Sequence, residues 1–294
     1  MFGVMKTLPS LAALLLLAAA PKPLGTQAVI DAAGPADWRT LDPANTLYMA
    51  VPGGRVVIEL APDFAPNHAA NIRTLARERW FDGTSINRVQ ENYVVQWGDA
   101  TEKKPLGSAT APLKGELTRA ANGLAFARLP FRDAYASSVG FVGGFPVAVE
   151  GKEAWLAHCY GMVGVGRGEG VDSGSGAELY VVNGQAPRHL DRNITVVGRV
   201  IQGMELLNAL PRGTGPLGFY EKAEQRVPIA SIRLAAEVPA ADRSEFELLR
   251  TDTPAWRSYV DARAHRTRDG FFVRDANAID LCNIRVPVRA AKAR

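Results

Sequence analysis

Alternating and short apolar runs dominate the middle of the chain, and they predict strands. Residues 46–51 and 55–60 read as two strands joined by the turn Pro52-Gly53-Gly54. Pro66 opens a helix in which Ala70, Ile72, Leu75 and Ala76 share an apolar face. Asp82-Gly83 is a turn signal, and strands follow at 85–89 and 93–96. Residues 100–157 are rich in Gly, Pro and Ala, with apolar pieces at 125–129, 139–142 and 147–149. That is too long for a featureless loop inside a compact domain, so part of it is expected to pack. Further strands are predicted at 159–165, 178–183, 194–200 and 229–235, with a short helix at 205–210. Residues 242–249, where Ser244 and Glu247 spell a capping box, and 254–268 read as helices.

About eight short strands and two separated helices predict a mainly β, closed antiparallel barrel rather than βαβ units. The N-terminus is different in kind. A short basic stretch, an apolar run at 8–20 and the small-residue site Thr26-Gln27-Ala28 form the tripartite pattern of an export signal. The expected organisation is a signal peptide at 1–28, a lead-in at 29–45, the barrel at 46–238 with 100–157 enlarged, and a helical extension at 239–294.

Charge and cysteines narrow the function. Without residues 1–28 the chain loses Lys6 and Lys22 and no acid, so its formal charge falls from +4 to +2. A mild excess of that size argues against nucleic acid as a partner. Once the signal is removed, no membrane association is expected either. The four histidines show no metal-ligand spacing, and no cofactor or metal is implied. In an oxidising compartment Cys159 and Cys282 either pair or stay as two buried thiols, and the sequence leaves both readings open.

The informative stretch is 55–99, RVVIELAPDFAPNHAANIRTLARERWFDGTSINRVQENYVVQWGD. It resembles the cyclophilin family in the order and spacing of five pieces: 60–66, 71–75, 80–84, 86–89 and 92–99. A second block, at 160–167, 172–181, 189–191 and 197–200, extends the resemblance over roughly 46–235. It implies a closed eight-stranded cyclophilin-like barrel capped by two helices, here with a C-terminal helical appendage. It also implies peptidyl-prolyl cis/trans isomerase activity on proline-containing polypeptides, and together with the export signal this leads to the expectation of a periplasmic monomer that assists the folding of exported proteins. Arg88 matches the family's catalytic arginine, and Gln96 matches the residue that bonds the substrate backbone. Tyr93, Val94, Tyr180 and Leu190 match the walls of the proline pocket, and Arg167 lies in the matching loop segment.

The departures are specific. Glu178 stands where the family has Gln, and it either orients the guanidinium of Arg88 or occupies it. The second outcome would leave a catalytically weak chaperone or adaptor that holds Pro-peptides. His189 replaces a Trp that in the family helps bind cyclosporin, so only weak binding of that inhibitor is expected.

Two other signals fail on physical grounds. Leu156-Ala157-His158-Cys159 and Asp172-Ser173-Gly174 have the look of trypsin-like signatures, but they lie too close together to come from two barrels. The glycine-rich run at 164–170 precedes no predicted helix and so lacks the element a dinucleotide loop needs.

Overall fold

The computed structural model describes residues 22–291. The apolar run at 8–20, which carries most of the expected export signal, lies outside them. The described chain opens with helix α1 (Thr26–Ala32) and strand β1 (Trp38–Thr40), so the segment read as a lead-in holds regular structure. The expected cleavage point after Ala28 falls inside α1. That helix is tied down at its first residue, where the Thr26 amide and hydroxyl donate to Asp269 at 2.6 and 3.0 Å.

The hairpin comes next, as β2 (Thr46–Val51) and β3 (Gly54–Leu60). Gly53 in its turn adopts φ +92°, which a side chain would resist. Helix α2 (Pro66–Arg77) buries Ile72, Leu75 and Ala76, with Pro66 at its start where a missing N–H costs no helix bond. Strands β4 (Ser85–Val89) and β5 (Val94–Gly98) follow. The long insertion contributes β6 (Arg119–Ala120), β7 (Ala127–Arg128), β8 (Ser138–Val142), β9 (Phe145–Glu150) and β10 (Glu153–Leu156). The chain then returns through β11 (Met162–Val165), β12 (Leu179–Val182), β13 (Val196–Gln202), α3 (Met204–Asn208), β14 (Val227–Pro228) and β15 (Ser231–Leu234). It ends with β16 (Phe246–Leu249), α4 (Pro254–Ala264) and β17 (Val288–Ala290).

Nine strands make one antiparallel sheet in the order β14-β4-β5-β12-β11-β13-β3-β2-β15. The sheet curls around a core that includes Leu47, Ile58, Ile72, Phe81, Trp97 and Val181. The fold is therefore mainly β, but the closed eight-stranded barrel expected from the sequence is replaced by this curled nine-stranded sheet. The reason lies in the last strand. Pro228 has no N–H to continue a ladder, and the run splits into β14, paired to β4, and β15, paired to β2. Between the two arms the amides of Ile229 and Ala230 donate to Thr84 and Ala50 at 3.0 Å each.

A second core lies beside the first. The insertion forms a five-stranded sheet in the order β6-β10-β9-β8-β7, and β1, β16 and β17 form a three-stranded one. Val29, Trp38, Phe141, Val147, Trp155, Trp256, Tyr259 and Leu281 pack together between these elements. Three stretches distant in sequence thus supply one hydrophobic body. The C-terminal extension is only partly helical. α4 forms as expected, but 242–249 does not make a helix. Its residues Phe246–Leu249 form β16, paired with β1 on one side and β17 on the other. Tertiary pairing overrides the local signal here. Ser244, read as a cap, instead receives a bond from Arg55 (3.1 Å) and donates its amide to the Tyr48 hydroxyl (3.0 Å).

Cys159 and Cys282 are joined, with Cα atoms 4.8 Å apart and 123 residues between them in sequence. A cross-link over so long a loop restricts the unfolded chain strongly. Cys282→Ser, or reduction in the folded state, is expected to lower the unfolding free energy by about 2–5 kcal/mol. Chemical denaturation with and without reductant measures this, and coincident curves would mean that packing alone holds the C-terminal segment.

Candidate active site

The site is built on three neighbouring strands, β4, β5 and β12, whose side chains alternate between the core and the outer face of the sheet. On β5, Val95 and Trp97 enter the core, so Val94 and Gln96 point outward. On β12, Leu179 and Val181 face in and Tyr180 faces out, directly opposite Gln96. On β4, Ile86 and Val89 both belong to the core although three residues apart, which strict alternation forbids. A register shift between Ile86 and Arg88 resolves the conflict and brings Arg88 opposite Gln96. A bulge that re-aims one side chain is a common device at sites.

Arg88 is held on three sides. Its Nε donates to the Leu217 carbonyl at 2.7 Å, one terminal nitrogen donates to Gln96 Oε1 at 3.0 Å, and the other donates to Gln90 Oε1. The rings of Tyr93 and Phe219 lie 5.5 and 5.3 Å from the guanidinium carbon. Of the five N–H groups a guanidinium offers, two therefore remain for a ligand. Burial pulls the Arg88 pKa below its usual value, opposed by Tyr93 and Glu178. Beside this charge, Val94, Tyr180 and Val182 form a buried apolar cluster with Tyr93 and Ile194 packed on it. His189 is exposed and lies nearly parallel to Tyr93, with ring centroids 6.3 Å apart. Leu190 is half-buried in the same short turn, Arg188–Leu190.

Glu178 does not seize Arg88. Its Oε1 accepts from Gln96 Nε2 at 2.6 Å, so Gln96 stands between the two charges, with its carbonyl end turned to Arg88 and its amide end to Glu178. Burial raises the Glu178 pKa above its usual 4.5, against the bond from Gln96, while Glu102 adds to the rise and Arg88 opposes it. Two glycines make room for this row of side chains. A Cβ at Gly164 would come 2.3 Å from the Tyr180 ring, and one at Gly166 would come 2.7 Å from Glu178. Arg167 is otherwise engaged: it donates to the carbonyls of Gly168, Glu169 and Asn193 and so braces its own loop.

Beneath the apolar patch lies a buried polar chain. The Tyr180 hydroxyl meets His158 Nε2 at 2.8 Å, and His158 Nδ1 meets Asp191 Oδ1 at 3.0 Å. Burial alone would raise the Asp191 pKa, but the bonds from His158 and the charge of Arg188 outweigh it and hold the carboxyl below 3.8. With Asp191 ionised, Nδ1 carries the proton and Nε2 accepts from the tyrosine O–H. Burial pushes the Tyr180 hydroxyl well up, so it stays a donor. Arg188 continues the chain to Asp133 (3.0 and 3.2 Å), and Trp155 Nε1 donates to Asp191 at 3.1 Å. The site is thereby joined to the inserted sheet.

Sequence reading placed Arg88, Gln96, Tyr93, Val94, Glu178, Tyr180, His189, Leu190 and Arg167 at one site; contacts join Arg88, Gln96, Glu178, Tyr93 and His189, Val94 and Tyr180 cluster with Tyr93, Leu190 follows His189 in its turn, and Arg167 is directed to its own loop. It missed Leu217 and Phe219, which no spacing rule tied to Arg88, and Gln90, two residues beyond it. It also set His158 aside, and its partners Tyr180 and Asp191 are reached only through the fold. Two cavities, of about 1350 and 700 Å³, are lined by other residues.

The family model described as "Cyclophilin type peptidyl-prolyl cis-trans isomerase/CLD" matches residues 46–234. The chain belongs to the cyclophilin family. Among its relatives, a "Probable peptidyl-prolyl cis-trans isomerase" of Brucella suis is 28% identical over 173 residues, 59% of this chain and 74% of the relative. The mouse "Peptidyl-prolyl cis-trans isomerase-like 1" is 25% identical over 202 residues, 68% of this chain and 95% of the relative. Among solved structures, the cyclophilin AquaCyp293 from Hirschia baltica superposes with a TM-score of 0.69 at 25% identity. It covers 91% of this chain and 97% of its own, so the likeness of this cyclophilin extends well beyond the nine-stranded sheet.

Proposed function

We propose that this cyclophilin catalyses cis/trans isomerisation of Xaa-Pro bonds in the groove between Arg88 and the Tyr93–Val94–Tyr180 patch, and that its clients are exported proteins. One observation carries the catalytic part: a guanidinium with two N–H groups left for a ligand sits beside the half-buried Tyr93 and near the apolar Val94–Tyr180–Val182 cluster on which Tyr93 and Ile194 pack. Rotation about a prolyl amide is slow because it breaks resonance, at a barrier of about 18–20 kcal/mol. In the twisted state the prolyl nitrogen regains its lone pair. A donor fixed beside that nitrogen stabilises the twisted state more than either planar one, which is what acceleration requires. No bond is cleaved, so no nucleophile is needed. Gln96 keeps one free N–H and a lone pair for the substrate backbone. Glu178 bonds Gln96 and leaves the guanidinium free, and this supports the enzyme over the weak adaptor.

A protease-coupled assay on a peptide such as Ala-Leu-Pro-Phe tests the reading. Acceleration well above the spontaneous rate is expected, and a trace no faster than buffer overturns it. Export is supported by the tripartite N-terminal pattern and by the disulfide, which suits an oxidising compartment. Because Thr26 anchors α1, the mature chain is expected to begin at or before Thr26, which N-terminal sequencing of periplasmic protein would check.

A further inference from the structure

Several buried carboxylates of this protein are matched with arginines. Glu59 meets Arg39 and Arg199 at 2.7 and 2.9 Å, and Asp133 and Asp191 both meet Arg188, at 3.0 and 2.6 Å. Glu178 has no such partner among the described residues. It sits half-buried on the outer face at the head of β12, and its one hydrogen bond among the described residues comes from the neutral amide of Gln96. Arg88 is directed to Leu217, Gln96 and Gln90, and Arg167 to backbone carbonyls. Glu102, the other charge acting on Glu178, is itself negative. Gly166 leaves the space that the carboxyl occupies.

The order along the groove gives this charge a use. Arg88, Gln96 and Glu178 follow one another across β4, β5 and the head of β12, each bonded to the next, and the apolar residues Val94 and Tyr180 lie beside them on β5 and β12. A peptide whose proline ring rests on the patch and whose backbone bonds Gln96 passes Glu178 with a neighbouring residue. We infer that Glu178 makes the groove selective for segments bearing a lysine or arginine beside the proline, the substrate supplying the cation that the fold withholds. This rests on the isomerase reading above. A half-buried carboxylate attracts a cation more strongly than an exposed one, and it repels an acidic side chain at the same place.

The test compares Ala-Lys-Pro-Phe, Ala-Leu-Pro-Phe and Ala-Glu-Pro-Phe, and a second series with the charged residue one position further from the proline. In one of the two series kcat/KM for the lysine peptide is expected to exceed that for the glutamate peptide by about tenfold. Glu178→Gln is expected to bring that ratio to within about twofold, whatever it does to the leucine peptide. Should the variant fail to fold, the wild type answers alone. Its ratio must shrink as salt is raised and as pH falls through the raised pKa of Glu178, where the carboxylate takes up its proton. No turnover of any peptide refutes the isomerase reading itself. Turnover with ratios within twofold in both series, or a ratio that Glu178→Gln or salt leaves untouched, refutes the inference and leaves the isomerase standing.

Discussion

Arg88→Ala is expected to lower kcat/KM for Ala-Leu-Pro-Phe by roughly 10²–10³-fold, the usual cost of deleting one donor aimed at developing charge. The residue sits on a bulge between two core positions, yet its own side chain is outside the core. Its partners, Gln90, Gln96 and the Leu217 carbonyl, lie at a groove that water reaches, so their loss of a donor is cheap and the fold should survive. The melting temperature is thus expected to move by only a few degrees, which separates chemistry from unfolding. Arg88→Lys should recover little. A lysine keeps the charge, but its point-like ammonium cannot donate at once to Leu217, Gln96, Gln90 and a prolyl nitrogen, as a planar fork can. Full activity in a well-folded Arg88→Ala protein would remove the guanidinium from the mechanism.

How much of this was legible beforehand depends on how far apart the cooperating residues lie. Arg88, Tyr93, Val94 and Gln96 fall within nine residues on one hairpin, and the resemblance to the cyclophilin pattern placed them at one site although a bulge had to re-aim Arg88. Tyr180 and Glu178 were legible through the same resemblance, and the structure sets Tyr180 opposite Gln96 on β5. The second body was not legible. β1 pairs with β16 through Trp38 and Leu249, and its core draws on the N-terminus, the insertion and the C-terminus together. No local window holds that information, and the Phe246–Leu249 segment taken alone is as compatible with a helix as with a strand. The same holds for the chain from Tyr180 to Asp133: His158 finds its partners 22 and 33 residues away, and its neighbours suggested a different chemistry. Arg88 itself depends on Leu217, which is 129 residues distant.

That buried chain carries the other large effect. Asp191→Ala is expected to destabilise the protein by roughly 3–5 kcal/mol, the range for removing one partner from a buried pair. The carboxylate accepts from the His158 amide (2.9 Å), His158 Nδ1 (3.0 Å), Trp155 Nε1 (3.1 Å) and Arg188 Nε (2.6 Å). Alanine leaves all four donors without it, and Arg188 retains only Asp133. A fall in melting temperature on the order of 10 °C follows for a chain of this size. Asp252→Ala provides the contrast. Its partner Arg250 is on the surface, the two side chains being 43% and 51% exposed, and such pairs contribute about 0–1 kcal/mol. The pH dependence adds a sign. Because Asp191 is held below its ordinary 3.8, its contribution is complete above that value and is lost as pH falls through the depressed one. The gap between wild type and Asp191→Ala should therefore narrow only in acid below 3.8. Activity should fall as well in the variant while it is still folded, since His158 loses the partner that fixes its tautomer and with it the anchor of the Tyr180 ring. A destabilisation below about 1 kcal/mol, the level of a surface pair, would show that the chain is not the joint between the groove and the inserted sheet.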